Sequence, residues 1–151
     1  MKTFSIGDIA QHMNVSTDTL RYYEKEGLLP FVKRDQAGRR QFTEDDLGYL
    51  EVIDCMKKSA IPVKEIGQFI EYCMAGDQTL ADRYEFLGEH EATLEAKITS
   101  LEAQLAFLRW KKWYYKRALD AGTEQVNLLP GTTQVDPQVH QIYDQFLQNK
   151  K

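Results

Sequence analysis

Between residues 80 and 108 the chain places Leu80, Tyr84, Leu87, Leu94, Ile98, Leu101, Leu105 and Leu108 at alternating steps of three and four residues, interrupted only at Glu91. That spacing keeps large apolar side chains on one narrow stripe of an α-helix, the seam of a coiled coil. Carried from Leu80 to Leu119, the helix is roughly 60 Å long at ~1.5 Å per residue. Gly122 is placed to end it. A single helix cannot bury such a stripe against itself, so a partner helix is required. The fold class that follows is mainly α, with this segment, 78–121, as a dimerisation helix.

The first seventy-five residues have a different pattern. Ser5 with Asp8 three residues on is a capping box, and Ile6, Ile9, Ala10 and Met13 form the apolar stripe of a short helix. Asn14-Val15 makes a turn. Ser16 caps a second helix expected to run to about Lys25, with Gly27 as its C′ residue. Leu28, Leu29 and Pro30 return the chain to the core. From Phe31 to Phe42, the turn Asp35-Gln36-Ala37-Gly38 between extended segments predicts a small β-hairpin. Thr43 with Asp46 opens a third helix to about Lys58. Pro62 suits the first turn of a fourth, which carries Val63, Ile66, Phe69 and Ile70 and ends near Gly76. Two short helices across a tight turn, followed by a basic hairpin, are the layout of a winged helix-turn-helix and make double-stranded DNA the expected partner.

The charge distribution agrees better than the charge total. Net charge is −4, which by itself argues against nucleic acid. Yet Lys33, Arg34, Arg39 and Arg40 face a single acid, Asp35, in the hairpin, while residues 65–151 hold nine basic residues against thirteen acids. A local positive edge on an acidic body suits a protein that touches phosphate on one side only. On the second helix, Thr17 and Thr19 near its N-terminus and Arg21 can reach phosphate or base edges, and Tyr22 and Tyr23 offer hydroxyls on rigid stems. The competing expectation is that one tyrosine packs in the core and Arg21 pairs with Glu24. Arg34, Arg39 and Arg40 read as phosphate or minor-groove contacts, against the alternative of a solvated charged loop.

These residues resemble the MerR family of transcription regulators. The carrying segments are Ile6-Gly7-Asp8-Ile9-Ala10, then Leu20-Arg21-Tyr22-Tyr23-Glu24 with Gly27-Leu28-Leu29, then Arg34 with Gly38-Arg39-Arg40-Gln41-Phe42, and Val63-Lys64-Glu65-Ile66. The resemblance covers about residues 3–120. It implies a winged helix-turn-helix over 1–75 and a homodimer joined by an antiparallel coiled coil of the long helices. It implies binding to an overlong promoter spacer that the activated dimer bends and undertwists, so that RNA polymerase engages both promoter elements. It also implies DNA contacts by Arg21, Tyr22, Tyr23, Arg34 and Arg40, and a phosphate contact by Lys57. Arg39 departs from the aromatic residue common at that place in the wing.

The signal is less defined. Metal sensors of this family carry cysteines at the start of the long helix and after it. Here Thr79 to Ala81 has none, no thiol follows Cys73, and His12, His90 and His140 are scattered, so no metal and no cofactor is expected. About thirty residues after Gly122 are too few for a large ligand domain. Cys73 shares the apolar stripe of Ile66 and Ile70 and reads as a core residue. Cys55 lies off the apolar arc, near Glu51, Ser59, Lys57 and Lys58, where basic neighbours favour a thiolate. The segment from Val52 to Lys58 resembles the aldehyde- and electrophile-responsive branch, in which a cysteine at this position is the proposed sensor; an inert thiol at the long-helix interface is the alternative. A non-covalent small-molecule effector is the other competitor. Trp110, Trp113, Tyr114 and Tyr115 form a cluster that either lines a pocket or packs on the tail or the partner protomer.

The tail, 122–151, is expected as a loop from Asn127 to Asp136 and a helix capped by Asp136-Pro137, with Val139, Ile142, Tyr143 and Phe146 on one face. Asp45 and Asp46 mimic paired catalytic carboxylates but suit a helix first turn, where the dipole favours them. No nucleophile with an adjacent base and no phosphate loop is present, so an enzyme is not expected. Two cysteines make no disulfide framework, and neither a membrane span nor a signal-peptide pattern is seen; a reducing cytoplasm is the expected compartment. A signal-independent DNA-bending protein of excisionase type is the rival from another class, and the forty-residue dimerising helix argues against it.

Overall fold

The computed structural model describes residues 2–149. The expected first and last domains extend to residues 1, 150 and 151, which lie outside the described residues. The elements are β1 (Thr3–Phe4), α1 (Ile6–Met13), α2 (Thr17–Lys25), β2 (Lys33–Arg34), β3 (Arg40–Thr43), α3 (Glu44–Lys58), α4 (Val63–Ala75), α5 (Leu80–Ala121) and α6 (Pro137–Gln148). Single 3-10 turns occupy Asp77–Thr79 and Glu124–Asn127. The molecule is mainly helical, and it divides into two units, Met1–His90 and Glu91–Lys151.

In the first unit the local signals act where the sequence places them. The Ser5 backbone N–H donates to Asp8 Oδ2 at 2.9 Å, and the Asp8 N–H donates to Ser5 Oγ at 3.1 Å, completing the capping box of α1. Asn14 ends α1 in the left-handed region at φ 56°, a conformation its short polar side chain tolerates. Ser16 then accepts the Thr19 N–H at 3.0 Å and starts α2. At the end of α2, Gly27 takes φ +84°, and the Leu28 N–H donates to the Tyr23 carbonyl at 2.9 Å. This closure turns the chain sharply and delivers Leu28 and Leu29 into the core.

Strand β3 is central in a three-stranded antiparallel sheet of order β1-β3-β2. Arg34 pairs with Arg40 in the wing hairpin, and Phe4 pairs with Phe42 on the other side. The two-residue β1 was not anticipated, because a strand that short has no alternation to read; it exists because β3 offers it an edge. The buried core gathers Leu20, Tyr23, Leu28, Phe42, Leu50, Ile53, Ile66 and Ile70, with contributions from α1 to α4 and the sheet.

The start of α5 belongs to this first unit. Arg83 Nη2 donates to the Gly76 carbonyl at 2.6 Å and its Nε to Thr79 Oγ1 at 3.0 Å, tying α5 back to the end of α4. Phe86 lies 5.1 Å from Phe69, ring centre to ring centre. The division between the two units falls between His90 and Glu91, within α5.

The second unit is small. Trp110 and Tyr114 of α5 and Val139 of α6 form its buried core cluster, with Trp113, Leu128, Val135, Ile142, Tyr143 and Phe146 packed around them, and Ala106 and Ala118 of α5 are buried as well. The Trp110 indole N–H donates to the Val139 carbonyl at 3.1 Å. Fully buried Asn127 donates from Nδ2 to the Tyr114 carbonyl at 2.8 Å and accepts from Arg117 Nε at 2.9 Å, so its burial leaves no polar atom unpaired. The aromatic cluster late in α5 thus packs on the tail of its own chain, while Tyr115 stays exposed.

Candidate nucleic-acid interface

The wing is built around one acidic turn. Asp35 Oδ1 accepts the backbone N–H groups of Ala37 and Arg39, each at 2.9 Å, and Gly38 supplies φ +80°. The Arg39 backbone N–H, foremost, and the Arg39 guanidinium hold the Asp35 carboxyl below its usual value. With the turn fixed, Arg34 and Arg40 stand opposite each other on β2 and β3.

Both arginines converge on α2. Arg34 Nη2 reaches Glu24 Oε1 at 3.0 Å, and Arg40 donates to the same oxygen from Nε at 2.9 Å and Nη2 at 2.8 Å. Arg34 also donates from Nη1 to the Gly38 carbonyl at 2.9 Å. A single carboxylate therefore docks the wing onto the second helix of the helix-turn-helix. Two guanidinium groups on one carboxylate leave a surplus of positive charge, and Arg34, 48 % exposed, retains an open edge for a phosphate. Sequence reasoning considered Glu24 only as a partner for Arg21. The separations of 10 and 16 residues from Arg34 and Arg40 carry no local signal that could have found the clamp.

Arg21 points toward the start of its helix instead, with Nη1 2.7 Å from Asp18 Oδ1 and 3.4 Å from Thr17 Oγ1. This pair is solvent-exposed, a type worth about 0.2–1 kcal/mol, so a DNA group can displace it at small cost. Thr19 is half-buried, with its hydroxyl 2.9 Å from Ser16 Oγ. Tyr22 is exposed. Tyr23, expected among the DNA contacts, is 5 % exposed and belongs to the core, because it falls three residues after Leu20 on the buried face of α2. Burial, and then the Asp54 carboxylate, push its phenol up. Arg39 is exposed and paired with Asp35 at 3.1 Å. Lys57 is exposed in the last turn of α3.

The two cysteines separate as their helix positions predict: Cys55 is exposed and Cys73 half-buried. Burial raises the Cys73 thiol, and Arg83 offsets part of that rise. Cys55 borders an apolar groove of about 430 Å³ with Val52, Met56, Phe69 and Leu87 among its walls. Of its basic neighbours, Lys58 is bound to Asp54 at 2.9 Å, and that hydrogen bond and charge push the Lys58 ammonium up. Among the described residues no group of three or more His, Cys, Asp or Glu side chains is placed to hold a metal, and no helix is long and apolar enough to cross a membrane.

Comparison with known proteins gives a consistent result. Residues 4–73 match the model of the MerR HTH family of regulatory proteins. An uncharacterised HTH-type transcriptional regulator of Haemophilus influenzae is 34% identical over 128 residues, spanning 85% of this chain and 95% of the relative. The Bacillus subtilis HTH-type transcriptional regulator AdhR is 31% identical over 90 residues, spanning 60% of this chain and 64% of that one. Among solved structures, HiNmlR, a MerR family regulator lacking the sensor domain and bound to promoter DNA, superposes with a TM-score of 0.60 at 33% identity, covering 83% of this chain and 99% of that one. A second helix clamped to a basic wing, a family model matched over residues 4–73, and a relative aligned over nearly its whole length lead to one conclusion: the chain belongs to the MerR family of helix-turn-helix transcriptional regulators.

Proposed function

We propose that this chain regulates transcription by binding promoter DNA as a homodimer and distorting it in response to an electrophile or aldehyde captured at Cys55. The observation that carries the DNA reading is the Glu24 clamp, which presents α2 and the wing arginines as one surface. In this reading Arg21, with Thr17, Thr19 and Tyr22, reads groove edges and nearby phosphates. Arg34, Arg39, Arg40 and Lys57 hold the backbone. The buried ring of Tyr23 supports α2 from behind. The long helices pair two such surfaces on one promoter, and bending and undertwisting the spacer lets RNA polymerase engage both elements.

The homodimer reading is supported by the apolar stripe of α5, whose side chains are exposed along its length. The thiol reading is supported by the contrast between exposed Cys55 and half-buried Cys73, and by the groove at Cys55. The Cys55 sulfur would add to an aldehyde carbonyl carbon, with the proton ending on oxygen as a hemithioacetal.

The test is graded exposure of the purified, reduced protein to formaldehyde, methylglyoxal and diamide, followed by peptide mapping. Cys55 should be modified selectively while Cys73 is spared. A Cys55→Ala variant that keeps full induction in a transcription assay would sink the sensor role. DNA binding is tested separately, by selection from random duplexes and gel shift of the wild-type protein against Arg21→Ala.

A further inference from the structure

From Arg109 to Arg117 every residue of α5 is basic or aromatic. Helix rotation sorts them. Trp110 and Tyr114 are buried in the core of the second unit. The Lys111 ammonium lies over both of their rings, 4.9 and 4.4 Å from the centres. Arg117 is spent on Asn127, 2.9 Å away, and its guanidinium carbon lies 5.3 Å from the Trp113 ring centre. Arg109, Lys112, Trp113, Tyr115 and Lys116 remain. With Leu119 and Phe146 they line an open groove of about 620 Å³ in the second unit.

The groove pairs an apolar floor with a rim of one sign. Trp113, Leu119 and Phe146 form the floor, and Phe146 comes from α6, its ring centre 6.5 Å from that of Trp113. Arg109, Lys112 and Lys116 are the charged residues of the rim, and no lining residue is an acid. Asp120 bonds Lys116 at 2.6 Å, which offsets one of these charges and leaves Arg109 and Lys112 as the surplus. The clefts of the first unit differ. Asp8 lines the one at Phe4, Glu51 and Asp54 the one at His12, and Glu51 the one at Cys55.

Charge and shape together define what fits. An apolar floor beneath uncompensated cations suits a molecule with an apolar body and an anionic end, and the volume is that of a small organic ligand. Arg109 and Lys112 are three residues apart on one helix face, so one carboxylate can lie between them, with the planar guanidinium as the two-pronged donor. A second helix on the seam would not fill the space. Arg109, Trp113 and Lys116 each follow a seam position (Leu108, Lys112 and Tyr115) by one residue, about 100° round the helix and on the side of Phe146.

We propose that this groove is a binding site for an amphipathic organic carboxylate. The carboxylate lies on Arg109 and Lys112, and the apolar body lies between Trp113 of α5 and Phe146 of α6. The site is in the other unit from Cys55 and needs no thiol chemistry. Because both helices hold the ligand, its binding fastens the tail helix to α5.

The test uses the full chain and two probes, decanoate and 1-naphthoate, with 1-decanol and 1-naphthalenemethanol as neutral counterparts. Titration calorimetry should give saturable binding of one carboxylate per chain, about tenfold tighter than its neutral counterpart. Arg109→Gln, a change at an exposed position, should remove about that tenfold preference, and Arg109→Lys should restore part of it. Binding should change the tryptophan fluorescence of the wild type but not of Trp113→Phe, in which Trp110 is the remaining tryptophan. Hydrogen exchange of α6 should slow in the complex. Binding by one probe alone supports the site and tells a chain from a ring as the apolar body. Failure of both carboxylates to bind overturns the proposal, as it would if a second copy already filled the groove. Equal affinity for the neutral counterparts, unchanged binding by Arg109→Gln, a fluorescence change that survives in Trp113→Phe, or unaltered exchange of α6 in the complex each overturns it as well.

Discussion

The two units solve the burial problem in different ways. The first encloses fourteen buried apolar residues drawn from four helices and a sheet. The second has Trp110, Tyr114 and Val139 as the buried members of its core cluster, and large apolar residues such as Leu101, Leu108 and Leu119 remain more than half exposed beside it. A unit that closes its own core can present charged side chains on its outer face without loss, as the wing does. A unit that leaves a stripe open is unfinished as a monomer, and its apolar surface is available for association. In the proposed reading, recognition and assembly fall to different ends of the chain, divided by how much apolar surface each end hides.

The sharpest way to break this contrast is to remove an anchor from each core. Trp110→Ala should cost the second unit about 4 kcal/mol. With so few buried residues to replace it, α6 should detach and lose hydrogen-exchange protection, while α1–α4 keep theirs. Ile66→Ala should cost about 3 kcal/mol and lower the denaturation midpoint of the first unit, leaving α6 protected. Loss of protection in both units from either change would show that the cores are one cooperative structure.

Smaller effects refine the recognition side. Arg21→Ala should flatten base preference at its position by about 1–3 kcal/mol of discrimination. Arg34→Ala should instead weaken binding to all sequences alike and reduce the salt slope of log K by about 0.9 for each phosphate that the arginine neutralises. Titration of gel shifts against salt separates the two. The smallest effect concerns the cap of α1. The Ser5 backbone N–H, with its side chain, lowers the Asp8 carboxyl below its ordinary 3.8. A lowered acid stabilises the fold above the unfolded value, and that contribution is lost as pH falls through the folded one. Asp8→Asn should therefore lower stability at neutral pH slightly and flatten the acid limb below about pH 4 in a pH series of thermal melts.

Much of the site was legible because its signals are local. Ser5, Ser16 and Gly27 act within three or four residues of themselves, so their caps and turns appear in the structure where the sequence puts them. The heptad stripe was legible for the same reason, as helical periodicity is a short-range property. Tyr23 shows the limit. It lies beside exposed Tyr22 in the chain, but which of two adjacent tyrosines faces inward depends on how α2 rotates against Leu28 and the rest of the core. Glu24 shows it again, since a clamp spanning 16 residues exists only once the sheet has brought Arg40 to α2.

The sequence by itself therefore determined the helices, their caps, the basic wing and the open stripe, all consequences of backbone propensity and periodicity over a few residues. Tertiary structure alone decided which arginines share a carboxylate, that Phe86 binds the start of α5 to the first unit, and that the tail folds onto Trp110. Those outcomes depend on distances between residues far apart in the chain, which packing sets and composition does not.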